Sequence, residues 1–293
     1  PLCDVPLVTT GNRPADGGHL IIEDADYADF IMREPQAKTY IKKLIGATEF
    51  INNKKRWCLW LVGVSPAELR KMPLVMQRVE ACKVDRENAP DAGRRKLAER
   101  PTQFRETNNP DTFVVVPAVS SERRKYVPIG FLDKETIATN LVITIPNATL
   151  YHFGILTSNV HMSWMRAVCG RLKSDYRYSK DVVYNNFPWP TPTEEQKAKI
   201  ERTAQAILDA RALYPDSSLA DLYDEVTMPQ ELRKAHQQND KAVMQTYGFW
   251  GKYNSESACV AELMKMYQQL VEKANRNRDV REVFMSSKDD LLA

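Results

Sequence analysis

The run Phe187-Pro188-Trp189-Pro190-Thr191-Pro192 places a proline at every second position. Proline has no N–H to donate and a fixed φ, so neither a helix interior nor a central strand can hold three at that spacing. The segment must run extended. It divides the 293 residues into an N-terminal domain, 1–186, a connector, 187–192, and a C-terminal domain, 193–293. Before the connector, short apolar runs at 57–62, 113–116, 126–132 and 141–145 are bounded by Pro, Gly and Asn and read as strands. Ser65-Pro66-Ala67-Glu68 has the form of a capping box with proline at the first helical position. Leu156, Val160, Trp164 and Val168 recur at steps of four, which predicts one helix from about 153 to 172. After the connector, Thr191-Pro192-Thr193-Glu194 predicts a second capping box. Ile200, Ala204, Ile207 and Leu208 then mark the buried face of a helix stopped by Pro215. Leu232, Ala235, Val243 and Tyr247 mark the next, ended by Gly248. Val260, Leu263, Met266, Tyr267, Leu270 and Val271 mark the last, and Lys288-Asp289-Asp290 is expected to fray. The expected fold class is an α+β domain followed by an all-α helical domain.

With 43% hydrophobic and 27% charged residues, the composition is that of a globular protein. No apolar run approaches the roughly 20 residues of a bilayer span. The longest, 149–169, is interrupted by His152, Ser158, Asn159, His161 and Arg166, so no membrane partner is expected. Cys3, Cys58, Cys82, Cys169 and Cys259 are far apart with no CxxC, which predicts free thiols and a cytoplasmic location. His19, His152, His161 and His236 have no metal-ligand spacing, and no metal is expected. The start, Pro1-Leu2-Cys3-Asp4, lacks both an initiator Met and a signal pattern and reads as the edge of a longer protein. The net charge is only +3, but residues 1–37 are acidic, whereas cations accumulate over 38–125 and again over 171–180. Such stretches suit a polyanionic partner.

Catalytic signatures are mostly missing: no glycine fingerprint for a dinucleotide or methyl donor, no Walker loop and no nucleophile elbow. Two segments approach the Asn-Pro-Pro-aromatic loop that grips a flipped base. Asn108-Asn109-Pro110-Asp111 lacks the second proline and the aromatic; Asn186-Phe187-Pro188-Trp189 has Phe where the first proline belongs. His236 and Asp240, four apart on a helix, fit a packing hydrogen bond better than a ligand pair. Trp57, Trp60 and Trp164, embedded in apolar runs, fit a core better than a base-stacking platform. In Ser120-Ser121-Glu122-Arg123-Arg124-Lys125-Tyr126, hydroxyls and cations suit phosphate oxygens or a charged hairpin turn. Along 170–180, a single extended strand would send Arg171, Lys173, Asp175 and Arg177 to one face and Leu172, Ser174, Tyr176 and Tyr178 to the other. A carboxylate among cations suits base edges, where Lys or Arg donates to guanine and Asp accepts from the cytosine amino group. An exposed strand with internal salt bridges is the other reading.

These two segments, with Val183-Tyr184-Asn185-Asn186-Phe187-Pro188-Trp189-Pro190, Arg56-Trp57-Cys58-Leu59-Trp60-Leu61, Leu219-Ala220-Asp221-Leu222-Tyr223, Met228-Pro229 and Ala235-His236, resemble the C-terminal part of MmeI-like restriction-modification proteins. The resemblance covers nearly the whole chain. It implies a target recognition domain and a helical C-terminal domain from a bacterial protein. In that family an S-adenosylmethionine-dependent N6-adenine methyltransferase core, and in some members a nuclease, lies upstream. The implied partners are double-stranded DNA and the methyltransferase domain of the same chain. S-adenosylmethionine belongs to the parent chain, and no cofactor or catalytic residue is expected here. Lys173 and Asp175 match positions that read one base pair, and Arg177 a further one working with a residue near Leu141. Ser121, Arg123 and Arg124 match a stretch shared among members with different targets. Together with Lys125, Arg171 and Lys180 they are expected to contact the DNA backbone or support the fold. Two other readings remain: a complete small nucleic-acid-modifying enzyme using Asn186 to Trp189, and a structural or protein-interaction module.

Overall fold

The computed structural model describes residues 1–289, with side chains to 276. The stretch expected to fray, 288–290, lies outside the residues whose side chains are described. The first 186 residues hold eleven strands: β1 (Thr9–Thr10), β2 (Ile21–Glu23), β3 (Ile41–Ile45), β4 (Arg56–Leu59), β5 (Thr112–Pro117), β6 (Val119–Ser120), β7 (Gly130–Asp133), β8 (Thr136–Ala138), β9 (Val142–Pro146), β10 (Gly170–Leu172) and β11 (Asp175–Arg177). Among them run α1 (Asp24–Arg33), α2 (Ala47–Asn52), α3 (Pro66–Leu69), α4 (Pro73–Glu87), α5 (Ala92–Lys96), α6 (Leu150–Leu156) and α7 (Asn159–Val168). After the connector come α8 (Glu194–Ala212), α9 (Leu219–Leu222), α10 (Gln230–Thr246) and α11 (Glu256–Asp289). The α+β domain followed by helices is therefore as expected.

The strands form three sheets, ordered β1-β9-β5-β7, β2-β4-β3-β8 and β10-β11-β6. All pairs are antiparallel except β3–β8. β5 is buried on both faces, so it carries a continuous apolar run rather than an alternation. Val114 and Val116 point into the main core with α6 and α7, while Phe113 and Val115 join a small core with Ala138 and Val142. A separate core lies under the second sheet, built from Ile22, Leu44, Leu59, Val75 and Val79. Beside it, fully buried Arg86 donates to the carbonyls of Pro14, Ala15, Leu97, Arg100 and Gln103. One guanidinium with five fixed donors thereby ties two loops to α4.

Three local expectations change. The helix expected over 153–172 is two, because Ser158 interrupts it: its hydroxyl donates to Ile155 O at 2.7 Å and accepts from His161 N at 3.4 Å, starting a new helix. The periodic face survives, with Leu156, Val160 and Trp164 all buried. The box after the connector is Thr193 with Gln196 rather than Thr191 with Glu194. The strand expected over 126–132 begins only at Gly130, since Pro128 has no N–H to give a ladder and Val127 N–H goes to Met162 Sδ instead. Ser65 and Glu68 do form the reciprocal cap, on a helix of four residues. Trp60 and Trp164 are core residues, and half-buried Trp57 stacks on Tyr27 at 4.2 Å.

The helices after the connector share the main core with the N-terminal domain: Ile200, Ala204, Leu232 and Val243 belong to the same cluster as Val114, Phe153 and Trp164. Phe187 and Trp189 of the connector are buried inside it. The approach is tight at Gly154 on α6, where a Cβ would stand 2.6 Å from Ile200 Cγ2 and 3.2 Å from Ala204 Cβ on α8. Helix propensity favours Gly154→Ala by about 1 kcal/mol. Overpacking of a rigid helix pair costs about 1–3 kcal/mol, so the substitution is expected to lower the melting temperature. A raised melting temperature in differential scanning calorimetry would mean that the two helices can part freely.

Candidate nucleic-acid interface

The two cation-bearing segments of the sequence meet in the smallest sheet. β10 pairs with β11 in the register Gly170↔Arg177, Arg171↔Tyr176 and Leu172↔Asp175, and β11 pairs with β6 through Tyr176↔Ser120 and Arg177↔Val119. The stretch expected to run as one extended strand is thus a hairpin turning at Lys173 and Ser174. Lys173 has a φ of +55°, and positive φ at only the first central residue is the sign pattern of a type II′ turn. Arg171 Nη1 donates to Ser174 O at 2.7 Å and braces it.

Folding back regroups the faces. Across the turn, Leu172 lies opposite Asp175, so Leu172, Asp175 and Arg177 share one face, Arg171 and Tyr176 take the other, and Lys173 sits at the tip. Tyr176 is buried, whereas Leu172, Lys173 and Arg177 are exposed and Asp175 is half-exposed. The expected single row of Arg171, Lys173, Asp175 and Arg177 does not exist.

The cations sort by what they already touch. Arg171 lies 4.0 Å above the Tyr176 ring and pairs with Glu122 at 3.5 Å, so its charge is used within the protein. Arg124 is half-buried; burial lowers its pKa, and the carboxylates of Asp175 and Asp224 act in the opposite sense. Ser121 Oγ accepts from Arg123 N at 3.3 Å and closes a turn. Lys125 Nζ stands 5.3 Å over the Tyr126 ring. Among the described residues, Arg123, Lys125, Lys173, Arg177 and Lys180 have no carboxylate within 4.0 Å. These are free for an external anion, unlike Arg171, which is paired with Glu122; Arg124 also has no carboxylate within 4.0 Å but is half-buried. Exposed Leu141 is linked to the end of β11 through the backbone, since Tyr178 N–H donates to Ala118 O and Ala118 N–H to Leu141 O.

The family description "MmeI, target recognition domain" matches residues 1–191, and "MmeI, C-terminal domain" matches residues 192–274. The chain belongs to the MmeI family. It is 40% identical over 274 residues to DNA methyltransferase A of Bacillus subtilis (strain 168), across 93% of this chain and 31% of that protein. It is 44% identical, with a TM-score of 0.90, to the solved structure of the Type IIL restriction-modification enzyme MmeI in complex with DNA, across 93% of this chain and 36% of that one. The chain spans about a third of the length of these relatives. Residues 1–191 are thus a target recognition domain of the MmeI kind.

Both base-gripping near misses of this MmeI-family chain are tied into the fold, through Phe187 in one and through the Asn108 backbone in the other, although the Asn108 side chain itself is exposed. Phe187 is fully buried, edge-on to the His161 ring at 4.6 Å, and Asn186 Nδ2 donates to Asp181 O at 3.0 Å. Asn108 exchanges two hydrogen bonds with Asn12. His236 and Asp240 are packing residues: His236 Nε2 meets Tyr223 OH at 2.8 Å and its ring stacks on Tyr126. Asp240 accepts from Tyr126 OH at 2.6 Å and from Asn159 N at 2.8 Å, joining α10 to the loop after β6 and to α7. Periodicity pointed to the helix face but not to Tyr126 or Asn159, which are remote in sequence. Among the described residues, no three His, Cys, Asp or Glu side chains gather as a metal site, and no helix is long and apolar enough to cross a membrane. All five cysteines are free.

Two measurements follow from these geometries. Burial pushes the Asp240 carboxyl up to about 6, from the ordinary value of about 3.9. A raised native value contributes stability that is complete below about pH 4 and is lost as pH rises through 6, where a buried acid must ionise. Asp240→Asn keeps an acceptor for Asn159 and removes the charge, so the fall in melting temperature between pH 4 and 7 should flatten. An equally steep fall in the variant would place its origin elsewhere. At the hairpin tip, Lys173→Gly relieves a left-handed backbone conformation that costs an L-residue about 1 kcal/mol. Chemical denaturation should show a gain of that order, and a loss would mean that the lysine side chain holds the turn.

Proposed function

We propose that this chain is the sequence-recognition end of a bacterial S-adenosylmethionine-dependent N6-adenine DNA methyltransferase of the restriction-modification type, acting in the cytoplasm, and that hairpin β10–β11 enters the major groove of double-stranded DNA. The observation that carries the reading is a half-exposed carboxylate, Asp175, presented beside unpaired Lys173 and Arg177. A purely phosphate-binding surface gains nothing from a carboxylate, whereas base edges offer donors as well as acceptors. Lys173 can only donate, which suits guanine N7 and O6; Asp175 can only accept, which suits the cytosine amino group. Together they read one G·C pair. Arg177 reads a further position beside Leu141. Arg123, Lys125 and Lys180 meet phosphates, while Ser121, Arg124 and Arg171 shape and brace the surface.

Methyl transfer belongs to another part of the parent protein, whose methyltransferase domain forms the other wall of the DNA cleft. The one segment here that approaches a methyltransferase signature, Asn186 to Trp189, resembles a base-gripping loop rather than a methyl-donor site, and its Phe187 is fully buried. That burial also disfavours reading the chain as a complete small enzyme.

The test exchanges the two groups in the full-length parent. Lys173→Glu with Asp175→Arg should turn the preference from G·C to C·G at one position and leave the others alone, read by sequencing methylated sites. Each single change should cost roughly 1–3 kcal/mol of binding without a clean new preference. An unaltered site would falsify the assignment, and equal loss at every position would reduce the pair to phosphate contacts.

A further inference from the structure

A lone exposed leucine is ordinary on a protein surface. Leu172 is different in its position. It is 52% exposed and packs against none of the three apolar cores. The register sets it directly across from Asp175, on the face that carries Arg177 and next to Lys173 at the tip. It cannot turn inward, because the opposite face is held by buried Tyr176 under the Arg171 guanidinium and by buried Ser120. A one-residue slip would exchange the two faces and expose Tyr176. The hairpin therefore holds an apolar side chain among its polar groups at a place where folding does not use it.

We propose that Leu172 is a specificity-determining residue that meets the C5-methyl of a thymine in the major groove, in the base pair next to the one addressed by Lys173 and Asp175. This rests on the reading of the hairpin as the base-reading element. The thymine methyl is the one apolar group that the four bases present in that groove. A leucine can neither donate nor accept. Against the cytosine amino group or guanine N7 and O6 it would strip water from a polar atom and return nothing. Directly opposed residues of a hairpin hold their Cβ atoms about 4.5–5.5 Å apart, and successive bases of a strand are about 3.4 Å apart along the axis. A side chain opposite Asp175 thus reaches the neighbouring pair.

The experiment uses the full-length parent protein and duplexes carrying its methylation site. Selection should return an A·T pair beside the pair read by Lys173 and Asp175, with thymine on a fixed strand. Replacing that thymine by deoxyuridine removes only the methyl and should weaken binding about fourfold, the effect of one buried carbon. Leu172→Ala should lose a similar factor on the thymine duplex and bind the thymine and deoxyuridine duplexes equally. A site with no thymine at that pair, or a variant that still distinguishes the two duplexes as the unmodified protein does, overturns the proposal. If the exchange at Lys173 and Asp175 alters the site while Leu172→Ala changes nothing, this inference alone fails. If neither alters it, the hairpin is not the reader and both fall.

Discussion

The placement of the hairpin depends on one aromatic seam. Where β11 ends, Tyr178 OH meets His161 Nε2 on α7 at 2.9 Å. The other side of the His161 ring takes the edge of Phe187 from the connector. One helical turn along α7, Trp164 Nε1 donates to Val183 O at 2.9 Å. Burial pushes His161 down to about 3, so the ring is neutral at ordinary pH and this contact carries no charge that salt could screen. A hairpin with only three residues in each strand is marginal alone in water. Here its root is clamped between α7 and the connector, so the tip can present fixed side chains to a partner. Loss of the connector would release the clamp, since its first three residues, Phe187 to Trp189, are buried in the main core.

The same seam accounts for how much was legible in the sequence. Three alternate prolines marked 187–192 as a stretch without helix or strand, and apolar runs revealed β4, β5, β7 and β9 to within a few residues, because burial leaves a local pattern. The hairpin left none. Its turn residues, Lys173 and Ser174, include no Gly, Asn or Asp to mark a reversal. Strict alternation over 171–177 fits an uninterrupted strand equally well. A two-residue turn changes the parity: an even-numbered residue of the first strand shares its face with odd-numbered residues of the second. Leu172 therefore joins the face of Asp175 and Arg177, and Arg171 takes the face of Tyr176 while its guanidinium stays exposed. The residues of the candidate site were visible as a segment; their arrangement depended on a turn held by tertiary contacts.

Charge was legible as a total and not as a role. Arg123, Arg124, Arg171 and Arg177 are equivalent in the sequence, yet their environments divide them. A guanidinium stacked on Tyr176 and paired with Glu122 has little to gain from a phosphate, since reaching one would break existing contacts. An exposed, unpaired Arg123 or Arg177 loses only water. The division turns on neighbours as distant in sequence as Glu122 from Arg171, which composition cannot report.

Arg124 extends this logic to the C-terminal helices. It lies within electrostatic reach of Asp175 on the hairpin and of Asp224, which follows α9. Two residues on, Tyr126 donates to Asp240 of α10. The loop after β6 is therefore tied to the helical domain through Tyr126 and Asp240. The carboxylates of Asp175 and Asp224 both favour the charged form of the half-buried Arg124 guanidinium, against the larger effect of its burial. The C-terminal helices thus do more than complete a core. Through Tyr126 and Asp240 they fix the loop that carries Arg123, Arg124 and Lys125, and so bear on where the cations beside the hairpin stand.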